Sequence, residues 1–547
     1  MKKIGLIVLL TALLPALLRG QQAPPDLILL HGKVFTADPA RPSAEAIAIR
    51  GERIVAVGSS AEIGKLAGEA TRVLDLQGRV VIPGINDAHV HHTPEPAAFE
   101  LPLQPREPSW SEVQTALAAA VKQVPKGDWI FGTIGYGVIS DPEATRAALD
   151  RIAPDHPVLL RVYYGHGFLA GSKALAPLGI GESEPDPMGG FFERVAGSDR
   201  INGRFFEYAE WPPSQRLASL ASDDAALQGM RALGAEAARY GITSLQVMSF
   251  LPVDRFVRLL GTASLPQRIR VIPFPMADAK GRDQKAGRGL PKNPHPRVTV
   301  SGRKWILDGT PWERGAALRG PYHDKAEWSG RLNFPETEIA AMVRESLEHD
   351  EQLLVHCAGD KPVEVLFNAM EAAGSGIDWK AKRFRIEHGD RVIGDLIPRA
   401  ARLGAIVVQN PAHLMDPDMI NSRFGPDAKA QPLRSLIEAG VPFALGSDGP
   451  LNPYLNIMFA TLHPSRPTEA LTREQAVEAY TKGSAYAEFA EEEKGTLAAG
   501  KLADLAVLSQ DIFTVPVPEL PKTESVLTLI GGQAVHDAGA LKATGSR

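Results

Sequence analysis

Eight short apolar runs, separated for the most part by helical patterns, constrain this chain more than any other feature. The first is Val80-Val-Ile-Pro-Gly-Ile-Asn-Asp-Ala88, and Gly241-Ile-Thr-Ser-Leu-Gln-Val247 and Ile269-Arg-Val-Ile-Pro273 follow. Lys304-Trp-Ile-Leu307, Gln352-Leu-Leu-Val-His356 and Phe384-Arg-Ile-Glu-His388 come next, then Ala405-Ile-Val-Val-Gln409 and Pro442-Phe-Ala-Leu-Gly446. Ile339 to His349 and Pro432 to Ala439 carry apolar residues at three- and four-residue spacing, the period of an amphipathic helix. Eight strands alternating with helices predict an α/β chain built on a (β/α)8 TIM-like barrel, whose site lies at the C-terminal strand ends.

The two chain ends have another texture. Asp26 to Leu30, Ala46 to Arg50, Arg53 to Val57 and Val73 to Leu76 are short β-rich runs punctuated by Gly32, Gly51, Gly58 and Gly78. Gly500 to Leu508 and Ser525 to Ile530 repeat that pattern. Residues 26–79 and 496–540 are therefore expected to pair into one composite β-sandwich domain, leaving 80–495 to the barrel. Residues 94–235 are too long for one barrel connection. They read as an insertion after the first strand, placed to cover the barrel mouth as a lid.

At the N-terminus, Lys2-Lys3 precedes a nearly unbroken apolar run from Ile4 to Leu18, then Arg19-Gly20-Gln21. This is the form of a cleavable signal peptide over residues 1–20, and it points to a periplasmic or secreted protein. Leu18 is large for the −3 position of the cleavage site, so retention as a membrane anchor stays open. A formal charge of −5 with no basic cluster argues against nucleic acid as a partner. No stable membrane association is expected unless the leader is retained, and a homodimer is compatible with the sequence. The single cysteine, Cys357, excludes an intrachain disulfide.

Chemistry collects at the strand ends. His89 and His91 stand at i, i+2 on an extended segment, so both imidazoles face one way. Neutral imidazoles hold Zn²⁺ at roughly 2.0–2.1 Å, although a strand with two incidental histidines reads the same locally. His356 ends the fifth run, His388 the sixth, and Asp448 follows the eighth. In a barrel these positions converge on one mouth. Lys304 is the candidate for a further anionic bridge. Burial beside cations would depress its pKa and free the amine to add carbon dioxide, and the plain alternative is a lysine paired with an acid.

Taken in order, these segments resemble the amidohydrolase superfamily, in particular its branch of N-substituted formamide deformylases. The resemblance rests on Pro83-Gly-Ile-Asn-Asp-Ala-His-Val-His91, on Lys304-Trp-Ile-Leu-Asp-Gly309 with Arg314 and Pro321-Tyr322, and on His356-Cys-Ala-Gly-Asp360. Arg385-Ile-Glu-His388, Asn410-Pro-Ala-His413, Gly446-Ser-Asp-Gly449 and the closing Lys494-Gly-Thr-Leu-Ala-Ala-Gly-Lys-Leu-Ala-Asp504 complete it. It implies a metal-dependent hydrolase cleaving an amide or related C–N bond of a small molecule. Two divalent ions, with zinc favoured, would be held by His89, His91 and Asp448 and by His356 and His388, with carboxylated Lys304 bridging them. Ions about 3.5–4 Å apart share an acidified hydroxide and polarise the scissile carbonyl. Asp448 would serve as general base and then acid, or else as a ligand alone.

His166 and His413 match histidines near the substrate in that family, though each could equally be a hydrogen-bonded structural histidine. Tyr164 and Arg314 join them as candidate substrate contacts. Glu387 alternates with His388 along one strand and is expected to face away and support the barrel. Tyr164, Gly171, Gln246 and Asn410 depart from the family pattern at positions read as pocket-side, which weakens any transfer of the formamide substrate. A mononuclear deaminase or cyclic-imide hydrolase with unmodified Lys304 is the nearest alternative. A non-catalytic exported ligand-binding barrel is the alternative of another class.

Overall fold

A computed structural model of the chain describes residues 23–104, 107–426 and 430–540. The leader expected at residues 1–20 lies outside them. Eight parallel strands form the barrel: β1 (Ile85–Val90), β2 (Ile242–Val247), β3 (Arg268–Val271), β4 (Arg303–Ile306), β5 (Leu353–Cys357), β6 (Arg385–His388), β7 (Ile406–Gln409) and β8 (Phe443–Leu445). β1 to β3 pair in sequence order, as do β4 to β8. The two arcs are joined by backbone bonds. Lys304 N donates to Pro273 O at 3.0 Å, and Asp448 N donates to His89 O at 3.0 Å. Every residue of β1, β2 and β4–β8 is buried, which is why these strands read as near-continuous apolar runs.

Below the mouth the barrel interior is polar rather than aliphatic. Arg385 donates through Nε and Nη2 to Glu387 at 2.8 and 3.0 Å, and through Nη1 to Gln246 Oε1 at 2.5 Å. Arg270 reaches Gln352 Oε1 at 2.6 Å and the Ala487 carbonyl at 3.2 Å. Buried charges survive here because each has acceptors around it. Gln246 therefore sits beneath the site and is no pocket residue. Gly171 begins the short helix Ser172–Leu175, away from the cavity.

Both chain ends build the β-sandwich. Leu27–Leu30, Ala46–Arg50, Arg53–Gly58 and Arg72–Asp75 form one four-stranded sheet. The facing six-stranded sheet joins Val80–Pro83 to Leu505–Leu508 antiparallel, with Val507 opposite Val81. Leu29, Ile47, Ile49, Leu74, Val81, Leu505, Val507 and Leu527 fill the space between the sheets. Burying each such side chain contributes about 1.5–3 kcal/mol.

The insertion after β1 carries a sheet of its own. Its order is Gly190–Arg194, Ile201–Glu207, Gly167–Ala170, Val158–Val162, Trp129–Ile134, Ala98–Glu100. Helix Trp110–Ala120 covers one face, started by a Ser109–Glu112 capping box and packed through Val113 and Leu117. The strand Ile201–Glu207 ends at the barrel mouth, where Tyr208 Oη accepts from the Ile306 backbone N–H at 3.1 Å. That bond ties the insertion to β4.

Candidate metal centre and its cavity

The C-terminal ends of β1, β5, β6 and β8, with Lys304 from within β4, bring His89, His91, Lys304, His356, His388 and Asp448 together. His89 Nε2 and His91 Nε2 stand 3.2 Å apart, and each is 3.5 Å from Asp448 Oδ1. The far nitrogen of each ring is already engaged. His89 Nδ1 donates to Glu387 Oε2 at 2.7 Å, and His91 Nδ1 donates to the Met248 carbonyl at 2.7 Å. With the proton held on Nδ1, both Nε2 atoms are lone-pair acceptors turned toward the same carboxylate oxygen. Two lone pairs at that separation repel unless a cation or a proton lies between them.

Protonation is the costly way out of that contact. Burial, with the Lys304 charge nearby, holds His89 well below the usual imidazole range and His91 down to about 4. A divalent ion satisfies both nitrogens and the carboxylate at once. A gap of 3.2 Å is within the span of two nitrogens each roughly 2.0–2.1 Å from one ion.

The second half of the cluster is ordered similarly. His388 Nδ1 contacts Asn410 Oδ1 at 2.9 Å, while Asn410 Nδ2 donates to the Gly446 carbonyl at 2.9 Å. The His356 and His388 rings lie 4.4 Å apart between centroids. Burial keeps both imidazoles neutral, well below their ordinary range. Lys304 is 1% exposed and has no ion-pair partner among the described residues. Burial lowers its amine to about 8 despite the opposing pull of Glu387 and Asp448. The acid partner of the plain alternative is not within ion-pair reach. Asp448 is pushed up to about 7, first by burial.

Glu387 corrects the expectation drawn from strand alternation. Its carboxylate points into the barrel and grips both His89 and Arg385. His388, one residue on, also reaches the mouth because its φ of 68° is left-handed and breaks the alternation. Asp448 (φ 42°) and His166 (φ 69°) are held the same way, a cost usually accepted where side chains must be aimed. Asp87, within the Pro83–His91 motif, has a structural task that the motif alone does not reveal. Its Oδ1 accepts from Ser447 N at 2.8 Å and His89 N at 3.2 Å, locking the β8 loop against β1.

A cavity of about 590 Å³ opens over these groups, lined among others by His91, Lys304, His356, His388 and Asp448. His413 lies 3.6 Å from Asp448 Oδ2 and stacks on His388, with ring centroids 5.6 Å apart. Tyr164 stacks on Trp312 at 5.9 Å on one wall, and Trp211 on Phe250 at 5.3 Å on another. His166, delivered by the insertion, donates from Nδ1 to Glu207 at 2.9 Å. Burial disfavours its charge, but the surrounding carboxylates, Glu207 first and then Glu313 and Glu210, together outweigh that and lift it to about 9. Arg314 is not brought to the cavity. Its guanidinium is fixed on Asp324 at 2.9 and 3.1 Å and on the Tyr136 hydroxyl. Glu207, Glu210, Glu313, Trp211 and Phe250 line or support the cavity without having been flagged by any local motif.

The amidohydrolase family matches residues 72–536. A putative amidohydrolase of Bacillus subtilis (strain 168), YtcJ, is 28% identical over 507 residues, 86% of this chain and 92% of the relative. The N-substituted formamide deformylase of Arthrobacter pascens is 26% identical over 546 residues, 93% of this chain and 97% of the relative. An uncharacterized metal-dependent hydrolase from Pyrococcus horikoshii OT3 superposes with a TM-score of 0.69 at 20% identity, covering 90% of this chain and 99% of that one.

Proposed function

This chain belongs to the amidohydrolase family, and on that premise we propose that it hydrolyses an amide or related C–N bond of a small molecule with two bound divalent ions. The observation that carries the reading is the pair of His89 and His91 Nε2 lone pairs, 3.2 Å apart and facing Asp448 Oδ1. His89, His91 and Asp448 would hold one ion, and His356 and His388 the other. Lys304, carboxylated by carbon dioxide, would lie between them. Its buried, unpaired amine suits that modification, since the neutral form that adds carbon dioxide is accessible near neutral pH. Nitrogen and carboxylate donors suit zinc and other first-row ions. When bound, such ions supply Lewis acidity, which lowers the pKa of water and polarises a carbonyl.

The chain's own residues do the rest. Glu387 and Met248 fix the tautomers of His89 and His91, so no reorganisation is needed at turnover. Asp448, poised by burial near neutrality, would take a proton at an Oδ from the attacking water. It would then return that proton to the departing nitrogen, so that amide and water leave as acid and amine. His166, with Nδ1 occupied by Glu207, offers Nε2 as a donor to the substrate. Tyr164, Trp312, Trp211 and Phe250 orient apolar surface and exclude water.

The test is hydrolysis of a panel of N-acyl and N-formyl amines by zinc- or manganese-loaded protein. Amine release that stops on chelation and returns with metal supports the reading. Loaded protein that releases amine from no member contradicts it.

A further inference from the structure

Glu210 is a cavity-wall acid whose buried Oε2 has no hydrogen-bond donor among the described residues. It stands just before helix Trp211–Leu220, is 6% exposed, and makes no capping bond to that helix. Its Oε2 is buried without a partner, although the residue lines the cavity.

The charged groups around it are already spoken for. Glu207 is held by His166 and by Asn333, whose Nδ2 donates at 2.7 Å. Glu313 accepts from the Thr310 backbone N–H and from its hydroxyl. Arg161 is engaged by Glu95 and lies 3.7 Å from Glu100. Glu207, Glu210 and Glu313 thus outnumber the one imidazolium between them, and Arg161 brings no surplus positive charge. Burial pushes the Glu210 carboxyl up to about 8, the expense of a buried acid that a positive partner removes. Trp211, next in sequence, and Phe250, on which it stacks, line the same cavity as an aromatic wall.

We propose that Glu210 anchors a cation subsite, accepting the protonated amine of a substrate whose scissile amide lies over His89, His91 and Asp448. The substrate class is then an amide bearing a second, basic nitrogen, with apolar surface between amide and ammonium to meet Trp211 and Phe250. Where that amide lies rests on the hydrolase reading; the cation subsite itself does not.

Binding tests the subsite without requiring turnover. Calorimetry of metal-loaded protein at pH 8 would compare phenethylammonium with its neutral isostere phenethyl alcohol, in the parent and in Glu210→Gln. The parent should bind the ammonium at least tenfold more tightly, and the variant should lose that preference while binding the alcohol unchanged. Equal binding of the two probes by the parent overturns the proposal. So does a preference that survives in Glu210→Gln, which would place the cation elsewhere. Glu210→Ala serves as the second variant, and an unchanged melting temperature in either one excludes misfolding as the cause. A preserved ammonium preference in protein that hydrolyses no amide would defeat the hydrolase reading alone. Hydrolysis with no ammonium preference would defeat the subsite alone.

Discussion

Asp448, half-buried, and Glu387, fully buried, are both acids beside His89, yet their surroundings give them different tasks. Asp448 faces His89, His91, His388 and His413 with no Lys or Arg paired to it among the described residues, and burial pushes it up to about 7. Asp448→Asn is expected to lower kcat by about 10²–10⁴-fold with the melting temperature retained, the range over which a positioned proton carrier contributes. A variant retaining parental kcat in a steady-state assay would remove it from the chemistry. Glu387 is clamped between Arg385 and His89 Nδ1, so it sets a tautomer. Glu387→Gln should weaken metal affinity about 10–100-fold in a chelator-competition titration. It should also lower the melting temperature, because Arg385 is left buried beside a neutral amide. The residues brought together at the mouth were legible in the sequence because His89, His356, His388 and Asp448 close or follow strand-like runs, while Lys304 opens one. Glu387 was misassigned because alternation presumes a regular strand, and the left-handed backbone of His388 is invisible in residue types. Glu207, Glu210 and Trp211 come from a segment with no chemical pattern of its own, and only the fold carries them to the mouth.

At the scale of elements, the barrel strands were readable because burial on both faces enriches most of them in apolar residues, although β3, β4 and β6 also carry charged side chains. The paired sheets at the chain ends were readable from their glycine-punctuated runs, in which Leu27, Leu29, Ile47 and Ile49 alternate toward one core. The six-stranded sheet of the insertion was not. Its strands Gly167–Ala170 and Gly190–Arg194 are short, glycine-containing and antiparallel, and their neighbours are set by long-range pairing. The contact between β8 and β1 yields a prediction at this scale. A Cβ on Gly446 would lie 2.5 Å from His89 Cβ and 2.6 Å from its backbone nitrogen, where neither side has room. Gly446→Ala should cost roughly 1–3 kcal/mol in chemical denaturation and displace His89. Metal affinity should fall with it. A variant with parental stability and parental metal affinity would show that β1 and β8 are less tightly coupled than their backbone bonds imply.

Over the whole molecule, metal uptake and proton release should be linked. His89, His356 and His388 are held neutral by burial, as are His91 and His413 at about 4, so these five do not compete for protons near neutrality. Asp448 at about 7 and Lys304 at about 8 must shed protons before they can serve as anions or add carbon dioxide. Because binding favours the deprotonated forms, apparent affinity should climb as pH rises through about 7 and level off above about 8. Zinc titrations in buffers of different ionisation enthalpy would follow the released protons, and an affinity flat from about pH 6 to about pH 9 would contradict the linkage. Export remains a proposal of the sequence alone. Among the described residues no helix is long and apolar enough to cross a membrane. Recovery from the periplasm or medium with an N-terminus at Gln21 would support cleavage of the leader, whereas an intact N-terminus in the membrane fraction would point to a retained anchor.

In the function proposed for this chain, Lys304 would bridge two ions within the His89, His91, His356, His388 and Asp448 cluster. The most direct test of that arrangement is a crystal structure of protein grown with zinc and bicarbonate, with anomalous data collected at the zinc edge. The account predicts two anomalous peaks about 3.5–4 Å apart, joined by a carbamate on Lys304. A single peak beside His89 and His91, with a free Lys304 amine, would contradict it.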